Sequence, residues 1–226
     1  MILRIYLIQV GLIAVSFVLP IVLVLLMPTV TVTLVLLPIG VVMYGEILYH
    51  IGASSATSVV KEKYNGTLDL LLIIPDTVEH SLFSKVAAAI WRQTENLTLI
   101  LMGTTLASMP LLIIQYDIFL SYNNHPILMR IGLILALGMS ILRILIEPVM
   151  IGALGALVGA AIPARIPAII VTSVLGASYF LLINLARFAP TSEMGRLLVE
   201  IIVPIVLPLL IIYGAFRGAA YLLSKD

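Results

Sequence analysis

Apolar runs long enough to cross a bilayer follow one another along this chain with little relief. A membrane-crossing helix needs roughly 20 mainly apolar residues, because each adds about 1.5 Å to a path through some 30 Å of hydrocarbon. Six segments meet that requirement, at about 5–26, 30–51, 97–114, 127–162, 167–185 and 197–223. The chain is 62% hydrophobic and 10% charged, with a mean hydropathy of +1.23. A soluble domain carries about 25% charged residues. A water-soluble fold of 226 residues has no means of hiding so much apolar surface, so the bilayer is the expected solvent. The expected fold is all-α: one polytopic transmembrane domain over residues 1–226, with a cytoplasmic loop at about 53–92 between spans two and three.

The same composition removes several classes of function. A net charge of +1 without a basic block gives nucleic acid nothing to bind. The absence of cysteine excludes disulfides, thiol chemistry and thiolate metal sites. No metal site is expected from the three histidines either, since His50, His80 and His125 lie in separate segments. No P-loop, Gly-x-Ser-x-Gly or His-Glu-x-x-His pattern is present, so the chain is not expected to be an enzyme. Ser54 and Ser55 stand near His50, but no oxyanion site accompanies them. Arg4 gives the N-terminus a positive start, yet the apolar run continues into further spans, so a cleaved signal peptide is not expected.

Lysine and arginine set the expected orientation. With a cytoplasmic N-terminus, the inner side holds eight cations: Arg4, Lys61, Lys63, Lys85, Arg92, Arg165, Arg217 and Lys225. The outer side holds three, Arg130, Arg187 and Arg196. Both termini and the 53–92 loop are therefore expected in the cytoplasm, and the protein in the cytoplasmic (inner) membrane. The outer segments 115–126 and 188–196 are short and polar. The fourth span is too long for a straight crossing: 32 residues from Ile131 to Ile162 measure roughly 48 Å. Pro148 in its middle predicts a kink, with the helix projecting beyond the bilayer on one side.

The 53–92 loop is the longest polar interruption. Helix is expected to continue from span two through Lys61, Glu62 and Lys63 and to stop at Asn65-Gly66, where glycine tolerates the left-handed conformation that ends helices. Thr67 is a good N-cap, and Asp69 suits the first turn of a new helix. Leu68, Leu70, Leu71 and their neighbours to Ile74 form a short, very apolar segment that Pro75 ends. A further helix capped by Thr77 carries Glu79, His80 and Lys85 toward span three. The segment 67–75 cannot cross a membrane, so headgroups, the protein itself or a partner must cover it.

Glu62, Gly66-Thr67-Leu68, the leucine-rich run to Pro75, and Lys85 together resemble the cytoplasmic loop of ABC-2-type transporter permeases. The close resemblance covers about 30 residues; elsewhere it extends only to the six-span topology. It implies a permease subunit of an exporter, whose 67–75 segment is the coupling helix seated in a groove of a separate ATP-binding subunit. Glu62, Gly66, Thr67, Leu68, Leu70, Leu71, Pro75 and Lys85 would then form the coupling surface. The resemblance also implies ATP-Mg on the partner, no cofactor in this chain, and pairing of permeases as a homodimer or heterodimer. The chain departs from the family at Ser84, where glycine often precedes the lysine, and in showing only about four residues before the first apolar run, where the family carries an amphipathic helix. A non-transporting structural subunit of a larger membrane complex, built on a permease-like fold, is the alternative.

Ionisable residues at membrane depth face the protein interior or a wet cavity. Arg143 and Glu147 stand four apart, on one face of span four, as either a translocation path or an ion pair that fixes packing beside Pro148. Glu46 and His50 repeat that spacing near the inner end of span two. Used as a proton relay, either pair would suit an ion-coupled carrier, but no internal repeat or broken-helix pair accompanies them. Gly155-x-x-x-Gly159 and Gly214-x-x-x-Gly218 allow close helix approach, within the subunit or at a dimer seam.

Overall fold

Glycine and alanine decide which helices of this protein come closest together. The computed structural model describes residues 29–66, 78–100, 126–186 and 202–224, together with 195 and 199. The described residues form six helices: α1 (Thr29–Asn65), α2 (Val78–Trp91), α3 (94–100), α4 (Pro126–Ala161), α5 (Arg165–Ala186) and α6 (Val203–Leu223). Three are long and apolar enough to cross a membrane: the Leu142–Ala161 stretch of α4, α5 and α6. They correspond to the expected fourth, fifth and sixth spans. The expected second span lies within α1, and the expected third begins in α3. The expected first span, residues 101–114 of the third and most of 197–202 lie outside the described residues, as do the outer segments 115–125 and 188–194.

The described helices are arranged around α4. It packs against α1, α2, α5 and α6, and 61% of its membrane-length window is buried, against 28% for α5 and 22% for α6. The closest crossing is with α1. A Cβ placed on Gly155 would stand 2.5 Å from the Gly52 carbonyl oxygen, and one on Gly159 would stand 2.5 Å from that of Ala56. Small residues on both helices let the backbones meet, which in lipid replaces the hydrophobic drive that holds helices together in water. The Gly155-x-x-x-Gly159 pattern therefore faces α1 of the same chain. Helix α4 runs unbroken through Pro148, which is buried. Its 36 residues measure about 54 Å, well beyond one hydrocarbon thickness.

One apolar layer fixes the polarity of the bundle. Val59 of α1, Leu82 and Val86 of α2, Ala156 and Ala160 of α4, and Ala219 and Leu223 of α6 form a single buried cluster. Ala168, near the start of α5, packs with Ala56, Val60 and Val158 beside it. The C-terminal ends of α1, α4 and α6 thus share one end of the bundle with the N-terminal end of α5. Lys61, Lys63, Lys85, Arg165 and Arg217 are brought to that end with them. Arg130 sits 26 residues before Ala156 on α4, about 39 Å away along the helix. Among the described residues, the cations are therefore gathered unevenly, toward one end of the bundle.

Candidate functional site

Two groups of residues stand out, one at the cationic end and one inside the bundle. At the cationic end α1 runs as a single 37-residue helix past the bundle core and stops at Asn65. The stop follows the sequence expectation. Gly66 has φ 64°, the left-handed region that glycine enters without strain, and its N–H donates to the Lys63 carbonyl at 3.4 Å. The chain returns as α2 at Val78. The Lys85 ammonium of α2 pairs with the Glu62 carboxylate of α1 and donates to its Oε2. These two residues stand 23 apart and flank the 67–77 segment on either side. Both are mostly shielded, with side-chain exposures of 17% and 30%, so the pair is less screened than an open surface bridge.

Two further contacts tie this end to the bundle. The Lys63 ammonium donates to the Ala160 carbonyl at 3.4 Å, placing a cation at the negative C-terminal end of α4. Arg217 of α6 approaches Glu79 of α2 at 4.0 Å and lies over the Tyr213 ring. Of the residues expected to form a coupling surface, Glu62, Gly66 and Lys85 are thus placed. Thr67, Leu68, Leu70, Leu71 and Pro75 lie outside the described residues, as does Thr77.

The second group is centred on Glu147, which is 2% exposed. Arg143, one turn earlier on α4, pairs with its Oε1. Tyr44 of α1 donates its hydroxyl to Oε2 at 2.9 Å and reaches the Ile144 carbonyl at 3.3 Å. The Arg143 guanidinium also lies 6.0 Å from the Phe180 ring centroid on α5. The Tyr179 hydroxyl is buried close by, facing both Glu147 and Arg143. Three helices therefore converge on one buried carboxylate, and its charge is answered by an arginine and a phenol. The i,i+4 spacing announces Arg143–Glu147 in the sequence. Tyr44, 103 residues from Glu147, is missed there. An aromatic residue in an apolar run resembles any interfacial tyrosine.

Glu46 and His50 do not join this centre. They approach each other at 3.8 Å on an outer face of α1, with side-chain exposures of 69% and 53%. Two residues along a helix is a rotation of about 200°, so α1 turns Tyr44 inward and Glu46 outward. Asn184 donates to the Phe180 carbonyl of its own helix at 2.8 Å.

Comparisons with protein-family models, curated proteins and solved structures gave no match.

Proposed function

We propose that this chain is the membrane-spanning permease subunit of an ABC-2-type exporter, crossing the bilayer six times with both termini in the cytoplasm. A separate ATP-binding subunit would dock on the 67–75 segment and supply ATP-Mg chemistry. The observation that supports this reading best is the Glu62–Lys85 ion pair. It joins the two flanks of the docking segment at the cationic end of the bundle. A push on that segment reaches α1 and α2 together. Helix α1 is unbroken from there to Tyr44, where it meets Glu147 of α4. Nucleotide-driven motion would thus travel along a rigid element to the crossing of α1 on α4 and shift the bundle between two arrangements.

Purification of the chain from its native membranes in mild detergent tests the proposal. A P-loop ATPase should be retained and should crosslink to cysteines introduced between Leu68 and Ile74. A complex without any such ATPase would overturn the exporter reading.

A non-transporting structural subunit is the second reading, and the mutual satisfaction of Arg143, Glu147 and Tyr44 favours it. Charges that answer one another act as a packing lock and need no passing substrate. Under that reading Glu147→Gln impairs assembly of the complex and leaves ATP turnover unchanged; an exporter instead loses the coupling of ATP turnover to transport.

A further inference from the structure

Lys61, Arg92 and Arg165 take no part in the ion pairs formed among the described residues. They come from α1, the turn after α2 and the first residue of α5, yet they line one cleft of about 690 Å³. Ser54, Thr57, Ser58 and Tyr64 contribute hydroxyls to the same walls, and no carboxylate lines it among the described residues. That volume falls within the range of small-molecule sites. The N-terminus of α5 opens beside it with no acidic residue in its first turn, so the helix dipole adds to the positive field. Cations held together without a counter-charge repel one another unless an anion joins them.

The position of the cleft identifies the anion. It lies at the turn between two membrane-length helices, where α4 ends at Ala161 and α5 begins at Arg165. Along α1 it runs from Ser54 to Tyr64, roughly 15 Å, enough to take in the headgroup layer and the edge of the hydrocarbon. Just beyond Arg165, α5 presents Ile166, Ile170 and Val174 outward, with exposures of 70%, 57% and 57%. These follow at i, i+4 and i+8, a track on which an acyl chain lies lengthwise. A soluble anion has no use for that track.

We propose that the Lys61–Arg92–Arg165 cleft binds the phosphate of an anionic phospholipid, with an acyl chain against Ile166, Ile170 and Val174. The proposal holds whether or not the chain exports anything.

Native mass spectrometry of the full chain in detergent, titrated with equal amounts of phosphatidylglycerol and phosphatidylcholine, tests it. The expected result is a preference for phosphatidylglycerol of roughly tenfold, the scale set by a few cations acting on one anionic headgroup. The variant K61Q/R92Q/R165Q should bring the two lipids to parity, while K61R/R92K/R165K should keep the preference. All three side chains are exposed, so these changes leave the packing intact. Single substitutions, Arg165→Gln first, should each lower the preference part of the way. Equal retention of the two lipids by the unaltered chain would overturn the site. So would an equal loss in Arg217→Gln, which would mean that general charge at this end is responsible. Displacement of phosphatidylglycerol by inorganic phosphate at comparable concentration would overturn the lipid assignment in favour of a soluble anion.

Discussion

Glu147 accepts from Arg143 along its own helix and from Tyr44 across the α1–α4 crossing, so different substitutions there ask different questions. Glu147→Leu strands a mostly buried guanidinium, and removing one partner of a buried pair typically destabilises by about 3–5 kcal/mol. The double change Arg143→Leu with Glu147→Leu should recover most of that loss, because no charge is left behind. Tyr44→Phe removes one hydrogen bond and should cost about 0.6–1.7 kcal/mol, the range seen for such bonds in membrane proteins. Denaturant titration in detergent checks all three, and a double variant no better than Glu147→Leu would show that the pair acts through something other than its charge. The glycines make a second contrast. Gly155→Ala drives a methyl group into the Gly52 carbonyl, a backbone atom that cannot swing aside, and overpacking of this kind costs about 1–3 kcal/mol. Gly214→Ala meets nothing within 4 Å among the described residues and should be neutral in the isolated subunit. At this scale the sequence reveals what is local. Arg143 and Glu147 announce each other by spacing, and Gly155 and Gly159 announce a close approach. Their partners Tyr44, Gly52 and Ala56 are invisible, since about 100 residues of chain separate the two sides and periodicity carries no information across that distance.

Among the helices, α1 and α2 are clasped together by the Glu62–Lys85 pair. Gly66 sets how α1 ends: a β-branched residue there must adopt a left-handed backbone at a penalty of about 1–2 kcal/mol, or else extend the helix and re-aim the segment. Under the exporter proposal, Gly66→Val should therefore lower ATP-coupled activity by more than its effect on stability accounts for, while Gly66→Asn is milder because asparagine visits that region. Activity and melting temperature measured on the same samples separate the two effects. The Glu62–Lys85 pair predicts a reciprocal rescue: Glu62→Lys or Lys85→Glu alone should loosen the clasp, and the two together should restore it. The coupling energy expected is about 1 kcal/mol, given the partial exposure of both side chains. Two independent losses without rescue would mean that each side chain serves another contact. The end of α1 was legible because Asn65-Gly66 is a local stop signal. The central place of α4 was not. Its length marked it as unusual, but a helix apolar on every side reads alike whether lipid or protein covers it.

For the whole molecule, the docking proposal, the lipid proposal and the topology all depend on which membrane face the cationic end occupies. The bundle gathers Lys61, Lys63, Lys85, Arg165 and Arg217 at one end, held by the Val59–Leu82–Ala156–Ala219 layer. Cytoplasmic loops retain such residues because lysine and arginine near a span resist translocation. Concentrating cations there also draws that face toward anionic headgroups. The absence of cysteine makes the orientation directly measurable, because any introduced thiol is the sole one in the chain. Ser84→Cys lies on an exposed face of α2 at the cationic end. In sealed inside-out vesicles it should react at once with a membrane-impermeant maleimide, and in right-side-out vesicles only after permeabilisation. Asn124→Cys, in the polar segment expected between spans three and four, should show the reverse pattern. Labelling of Ser84→Cys from the outer face would place 67–75 where no cytoplasmic ATPase can reach it. The exporter reading would then fail at its first requirement, while the α1–α4 crossing and its buried Glu147 centre would stand unchanged.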